Sequence, residues 1–271
     1  MKYSSFLSSS LDSLNDMQFP LSDFKGWMPA CENSFRLEDS VHIWKIDLNK
    51  LSKLDNDCRK FLSAAELFRI DACASLQQRQ KFICTRFILR TLLSRYLGRA
   101  PQEISLIQVL RGKPELQDPN IQFNLAHSNS TLLLAFCNDS RIGIDLEKLR
   151  LRLRMNAVAQ RCLAESEFSI FKDLNHEEKL VFFYQRWTLK EALLKAWGEG
   201  LWFPMKNIEI FATDRMNQRL QYRSAMTLFP CQIQLLPIWN SDYVAALALE
   251  NGPKPLNFWN ADFLLEKAAG T

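Results

Sequence analysis

The chain has 271 residues, 47% of them hydrophobic, with 34 basic against 30 acidic side chains and a net charge of +4. That length supports one large domain or two smaller ones with a substantial core. The mild positive balance does not indicate nucleic acid, but it suits an anionic small substrate or an acidic protein partner. No apolar run approaches a membrane span, and the amino-terminal stretch lacks the continuous apolar core of a signal peptide. Seven cysteines are scattered with no Cys-x-x-Cys pair, which argues against a zinc knuckle and a disulfide framework. The expectation is a soluble, cytoplasmic protein with neither nucleic acid nor a membrane as its partner.

Residues 1–40 are polar and show little periodicity, so they read as an extended lead-in. The first strand is predicted over Val41–Leu48, and His42 within it reads as a structural histidine among apolar neighbours. Two helices are predicted between Ser63 and Leu97, meeting near Ser75. The second directs Phe82, Leu89, Leu92 and Leu93 to a core and Arg79, Lys81, Arg86 and Arg90 outward or along a groove. Such a basic helix is a solvated face unless a polyanion lies beside it. Residues 101–121 read as loop-rich, with a short strand near Ile104–Leu110 and a turn at Arg111-Gly112-Lys113-Pro114. A strand over Leu132–Phe136 and the Asn138-Asp139-Ser140 turn are predicted to form a hairpin with the strand that follows. That hairpin would bring the segment Asn124–Ser128 near Asp145.

In that following strand, Arg141-Ile-Gly-Ile-Asp-Leu-Glu147, Ile144 and Leu146 alternate with Asp145 and Glu147. Period-2 geometry puts both acids on one face and both aliphatics on the other. Two adjacent carboxylates repel unless a cation or strong donors lie between them, and a hard, oxygen-seeking ion such as Mg²⁺ is the simplest resolution. A solvated strand end with two surface acids is the alternative. Beyond Glu147 the pattern turns helical over Asn156–Leu163, from Ala164 onward, and over Glu177–Trp197 with Gly198 as its C-cap. Strands are predicted over Ile208–Phe211, Gln232–Leu236 and Tyr243–Leu249. A tail then opens at Pro253 and Pro255, whose Phe258, Trp259, Phe263 and Leu264 are candidates to pack back on the body.

Within the long helix, Trp187, Glu191 and Lys195 share one face at i, i+4, i+8. A carboxylate and an ammonium about 6 Å apart along the axis suit a metal–phosphate site. An ordinary surface Glu–Lys pair is the competing explanation. Each half of the chain begins with a strand ending in an acid, continues into helices and closes in strands. This faint echo predicts an α+β fold of two similar halves related by a pseudo-twofold, each a small, mostly antiparallel sheet with packed helices, with the site at their junction. The expected organisation is an extension (1–40), an amino-terminal half (41–142), a carboxyl-terminal half (143–250) and a tail (251–271).

Taken together, Gly112-Lys113-Pro114, Phe123-Asn124-Leu125-Ala126-His127-Ser128, Gly143-Ile144-Asp145-Leu146-Glu147 and Trp187-Thr188-Leu189-Lys190-Glu191-Ala192-Leu193-Leu194-Lys195 resemble, in order and spacing, the phosphopantetheinyl transferases of the larger surfactin-synthetase-activating (Sfp) type. The resemblance spans roughly residues 41 to 250. It implies Mg²⁺-dependent transfer of the 4′-phosphopantetheine arm of coenzyme A to a serine of an apo acyl, peptidyl or polyketide carrier protein, releasing adenosine 3′,5′-bisphosphate. It also implies that Asp145, Glu147 and Glu191 are the metal ligands, that Lys195 contacts the pyrophosphate, and that His127 and Ser128 lie near the phosphates, His127 at the 3′-phosphate. Lys113, with Gly112 and Pro114, would border the nucleotide, and Arg69, Arg79 and Lys81 would hold the adenine and 3′-phosphate. Two positions depart from the pattern: Lys81 stands where an arginine is common and Glu66 where a lysine can occur.

Glu191 or a metal-bound water is the base for the carrier serine, a choice the sequence leaves open. Phe168, Ile170 and Phe171 form a docking patch for an acidic carrier or pack into the core of their own half. The resemblance further implies a monomer, since short single-half relatives must oligomerise. A silent coenzyme A or carrier-binding module and a Mg²⁺-dependent phosphohydrolase are the competing classes. Three acids beside a phosphate argue against the first, and release of adenosine bisphosphate without an acceptor would mark the second.

Overall fold

The computed structural model describes residues 24, 26–51, 58–108, 114–117, 120–151, 154–212, 220–224, 226, 228–237 and 241–264. In chain order the strands are β1 (Met28–Pro29), β2 (Val41–Asp47), β3 (Leu106–Gln108), β4 (Pro114–Leu116), β5 (Ile121–Ser128), β6 (Thr131–Asn138), β7 (Ile142–Lys148), β8 (Ile208–Ala212), β9 (Leu220–Ser224), β10 (Gln232–Leu235), β11 (Tyr243–Leu249) and β12 (Leu256–Asn260). The helices are α1 (Ala64–Asp71), α2 (Leu76–Leu97), α3 (Met155–Cys162), α4 (Glu165–Asp173) and α5 (His176–Trp197). The fold is α+β. Contacts sort the chain into two units, one of residues 27–122, 129–139 and 255 onward, the other containing 123–128 and 140–254. Among the described residues no helix is long and apolar enough to cross a membrane.

In the first unit, β1, β12, β2 and β6 lie side by side in that order. β12 runs parallel to both β1 and β2, with Phe258 opposite Ile43, whereas β2 and β6 are antiparallel. The sheet is therefore mixed and not mostly antiparallel, because the C-terminal tail enters it as a parallel strand. Phe258 and Leu264 are buried there. Ser63 caps α1 in a capping box with Glu66, satisfying amides that the first turn leaves without partners. Ser75 caps α2, and Gly98 closes it in the left-handed conformation, so the two helices do meet at Ser75. Arg90 does not face outward. It is 2% exposed and donates to Glu66 at 2.6 Å and to the carbonyls of Pro101 and Ile104. Glu66 is thus occupied in capping α1 and pinning Arg90. His42 is structural, as expected: Trp44 Nε1 donates to Tyr96 Oη, which lies 2.9 Å from His42 Nδ1. Burial pushes the imidazole down to about 4.

The second unit holds an antiparallel sheet in the order β7-β11-β10-β9-β8. β6 and β7 do not form the expected hairpin, since β6 pairs with β2 in one sheet and β7 with β11 in another. α5 is capped by Asn175, whose side chain accepts from the amides of Glu177 and Glu178, and it ends at Gly198 with φ of +79°. That conformation carries no Cβ penalty only for glycine. Phe183, Leu189, Ala192 and Leu193 of α5 are buried with Ala246 and Ala248 of β11 in the core of this unit. Phe171 belongs to that core, Phe168 packs partly buried against it, and Ile170 is exposed. The candidate docking patch is thereby split, with one member in the core and one in solvent.

Candidate active site

β7 carries the acidic pair, and Asp145 is buried while Glu147 is half-buried. On α5, Glu191 is buried and Lys195 keeps its side chain 27% exposed. Lys195 Nζ donates to Asp145 Oδ1 at 2.8 Å, to the Ile144 carbonyl at 3.0 Å and to the Leu125 carbonyl at 3.5 Å. One ammonium therefore draws the helix, β7 and the 123–128 segment of β5 together. Asn124, buried, accepts from the Ile144 amide at 3.1 Å. Ser128 Oγ accepts from the Lys148 amide at 2.9 Å and donates to Glu147 Oε2 at 3.2 Å. The segment expected near Asp145 is indeed there, but two side-chain bridges to the β7 backbone hold it, not a hairpin. The Ser128 hydroxyl orients Glu147, and His127 is exposed at the end of the same strand.

Negative charge is incompletely matched here. Asp145 Oδ2 is buried with no hydrogen-bond partner. Burial, and then the neighbouring Asp145 charge, push the Glu191 carboxyl up to about 7, with Glu147 adding to the rise and Lys195 opposing it. Like charges in a desolvated place raise a carboxyl in this way when no cation intervenes. An unpartnered buried carboxylate oxygen, with two further carboxylates close enough to perturb one another, fits a hard divalent cation in donor type. Among the described residues no three His, Cys, Asp or Glu side chains stand within ligating range of one point as they are turned. Loading a cation would require a side chain to rotate, and Lys195 now holds one oxygen of Asp145.

Lys190, between Leu189 and Glu191, was not singled out by sequence reasoning. It is fully buried and donates to Glu167 Oε2 at 2.5 Å and to the Cys162 carbonyl at 2.9 Å. Glu167 is itself buried, with Arg186 Nε 3.6 Å away. Polar residues inside an apolar helix face give no period-3.6 signal, which is why the motif alone did not mark this one.

The 4′-phosphopantetheinyl transferase superfamily matches residues 141–248. The 4′-phosphopantetheinyl transferase HetI of Nostoc sp. is 34% identical over 238 residues, 86% of this chain and 98% of that protein. The chain belongs to the 4′-phosphopantetheinyl transferase superfamily. Sfp of Bacillus subtilis itself is 28% identical over 165 residues, 55% of this chain and 71% of that protein. A holo-(acyl-carrier-protein) synthase from Bacillus anthracis, solved with coenzyme A (3′,5′-ADP), aligns at 23% identity and a TM-score of 0.36, covering 42% of this chain and 95% of that one. Members of the family are transferases, and the chain is accordingly an enzyme that moves phosphopantetheine from coenzyme A to an apo carrier protein.

Of the residues expected at the nucleotide end, Arg69, Arg79, Lys81 and Pro114 lie in the first unit and His127 in the second. Arg69 and Arg86 both stack on the Phe82 ring, at 5.0 and 5.1 Å from its centroid. Arg79 donates to the Cys73 carbonyl at 2.9 Å, and burial lowers the Lys81 ammonium. Pro114 opens β4, half-buried, while Lys113 falls outside the described residues.

Proposed function

We propose that Asp145, Glu147 and Glu191 hold a Mg²⁺ ion, that Lys195 meets the pyrophosphate of coenzyme A, and that these four side chains are the transfer centre. The observation that carries this reading is the buried, partnerless Asp145 Oδ2 beside a Glu191 carboxyl raised to about 7. In transfer, the carrier serine oxygen bonds to the phosphorus bearing the pantetheine arm as the bridging P–O bond breaks. The electron pair leaves with adenosine 3′,5′-bisphosphate. Bound Mg²⁺ would supply charge neutralisation on the phosphate oxygens. Glu191 takes the serine proton as the general base. Lys195, already aimed at Asp145, moves its charge toward the leaving phosphate oxygens. Ser128 keeps Glu147 in register and His127, exposed at the strand end, meets a phosphate. Arg69, Arg79 and Lys81 take the adenine and 3′-phosphate, and Lys113 and Pro114 border the nucleotide.

The partner is an acidic carrier-protein helix, steered by the mildly basic enzyme. The seven cysteines, none of them in a disulfide, support a reducing, cytoplasmic setting, and we read the protein as a monomer. The test is the intact mass of several apo carrier proteins incubated with this protein, coenzyme A and Mg²⁺. Addition of one phosphopantetheine to at least one carrier is expected. Release of adenosine bisphosphate with every carrier left unmodified would overturn the reading.

A further inference from the structure

Period-2 geometry puts Gly143 on the same face of β7 as Asp145 and Glu147. This is the face that α5 covers. A Cβ on Gly143 would stand 2.0 Å from the Ala192 carbonyl oxygen, 2.5 Å from the Ala196 amide nitrogen and 3.1 Å from the Ala192 carbonyl carbon. All three are backbone atoms, so no side-chain rotation relieves the overlap. Ordinary contact begins near 3.4 Å, which leaves a shortfall of about 1.4 Å. The surroundings are small on both sides: Ala248 pairs with Gly143 and Ala246 with Asp145 across the sheet. The helix cannot simply retreat. At 100° per residue Lys190 lies on the far side of α5 from Ala192, and its buried ammonium is fastened to Glu167 and the Cys162 carbonyl.

We propose that Gly143 is a positioning residue for the transfer reaction: its missing side chain sets the depth at which α5 rests on β7, and so the gap between Asp145 and Glu147 on the strand and Glu191 and Lys195 on the helix. The inference rests on the reading of those four residues as the transfer centre. It adds a residue that touches neither substrate nor cation. A shift of about 1 Å between groups that must converge on one reacting centre is worth about 100-fold in rate, and the Gly143→Ala displacement is of that size.

The test compares Gly143→Ala with wild type in transfer kinetics, in Mg²⁺ binding measured calorimetrically without substrate, and in thermal unfolding. The expected result is a kcat at least about 100-fold lower, with Mg²⁺ affinity about tenfold weaker and the KM for coenzyme A changed by less than about threefold. Ala159→Ser supplies the control, since Ala159 is fully buried in the same core on α3; a purely structural effect would make the two variants alike at matched stability. Should Gly143→Ala lack a cooperative transition, Ala248→Ser, one atom larger and paired with Gly143 across the sheet in the core that α5 covers, carries the test with a smaller loss in the same direction. Wild-type kcat and Mg²⁺ affinity in Gly143→Ala, or an equal kcat loss in Ala159→Ser, overturns the proposal. A wild-type protein inactive on every carrier overturns the functional reading instead, and Mg²⁺ affinity still decides the role of Gly143.

Discussion

Replacing Lys190 with methionine tests how firmly the helix behind the acidic pair is anchored. The ammonium is fully buried, and Glu167 beside it is nearly so. Burial lowers the Lys190 pKa while Glu167 opposes the shift. Methionine fills a similar volume but removes the charge, leaving the Glu167 carboxylate with the amides of Ala164 at 2.8 Å and Ile210 at 2.9 Å and with Arg186 at 3.6 Å. Removing one partner of a buried pair costs about 3–5 kcal/mol. The retained amides and Arg186 put this case at the lower end, about 3 kcal/mol, since part of the carboxylate's solvation survives. For a chain of this size that is a fall in Tm of about 6–12 °C. Glu167→Gln is not a gentle substitute, because Oε1 and Oε2 each accept an amide, and a carboxamide would turn an NH₂ toward one of them. In the double variant with Glu167→Met the loss from Lys190→Met should largely vanish, giving a coupling of about 2 kcal/mol or more. Differential scanning calorimetry and urea unfolding of the four proteins measure it. A Lys190→Met change below about 1 kcal/mol, or additive losses in the cycle, would refute the anchoring role.

Three further outcomes are expected. Glu191→Gln should lower transfer at least about 1,000-fold yet stabilise the metal-free protein. The folded carboxyl is raised to about 7, so the folded state binds the extra proton between the unfolded pKa and 7, and stability falls as pH rises through that window by about 3 kcal/mol. Unfolding with chelator at pH 8 reads this, and a less stable variant contradicts it. With Glu191 as a cation ligand, as proposed, protons would compete with Mg²⁺ at that carboxyl, so Mg²⁺ affinity should fall by up to about tenfold per unit as pH drops below 7, measured by calorimetry; a flat profile removes Glu191 from the proposed ligand set. His42 is held down to about 4 by burial, so the unfolded state binds more protons between pH 6.5 and 4, and stability should drop by about 3 kcal/mol across that interval. His42→Phe should be less stable at neutral pH but lack that acid slope, and an unchanged slope assigns it elsewhere.

Much of the local structure was legible in the residues. Ser63, Ser75 and Gly198, where the helical pattern was expected to start, break and stop, do bound helices, through hydrogen bonds made within a few residues that form regardless of what packs outside. The hairpin expected at Asn138–Ser140 shows where such reading stops. Alternation in β6 and β7 says which residues share a face, but it carries nothing about which strand supplies the next row of hydrogen bonds, and the two strands join different sheets. Arg90 failed for a related reason: a guanidinium at an outward-looking position found Glu66 and two carbonyls that lie elsewhere in the chain, and these partners make its burial possible.

The sequence by itself determined which groups could act together: two acids on one strand face, and a Glu and a Lys one turn apart on a helix. Periodicity and residue type depend on the covalent chain, and the covalent chain sets them. Tertiary structure alone decided what those groups experience. It buried Asp145 with one oxygen unpartnered, lifted Glu191 toward neutrality, placed Lys195 on Asp145, locked Lys190 behind the helix and left Gly143 no room for a methyl group. Each of these depends on the distance between residues tens of positions apart, and only packing fixes that distance.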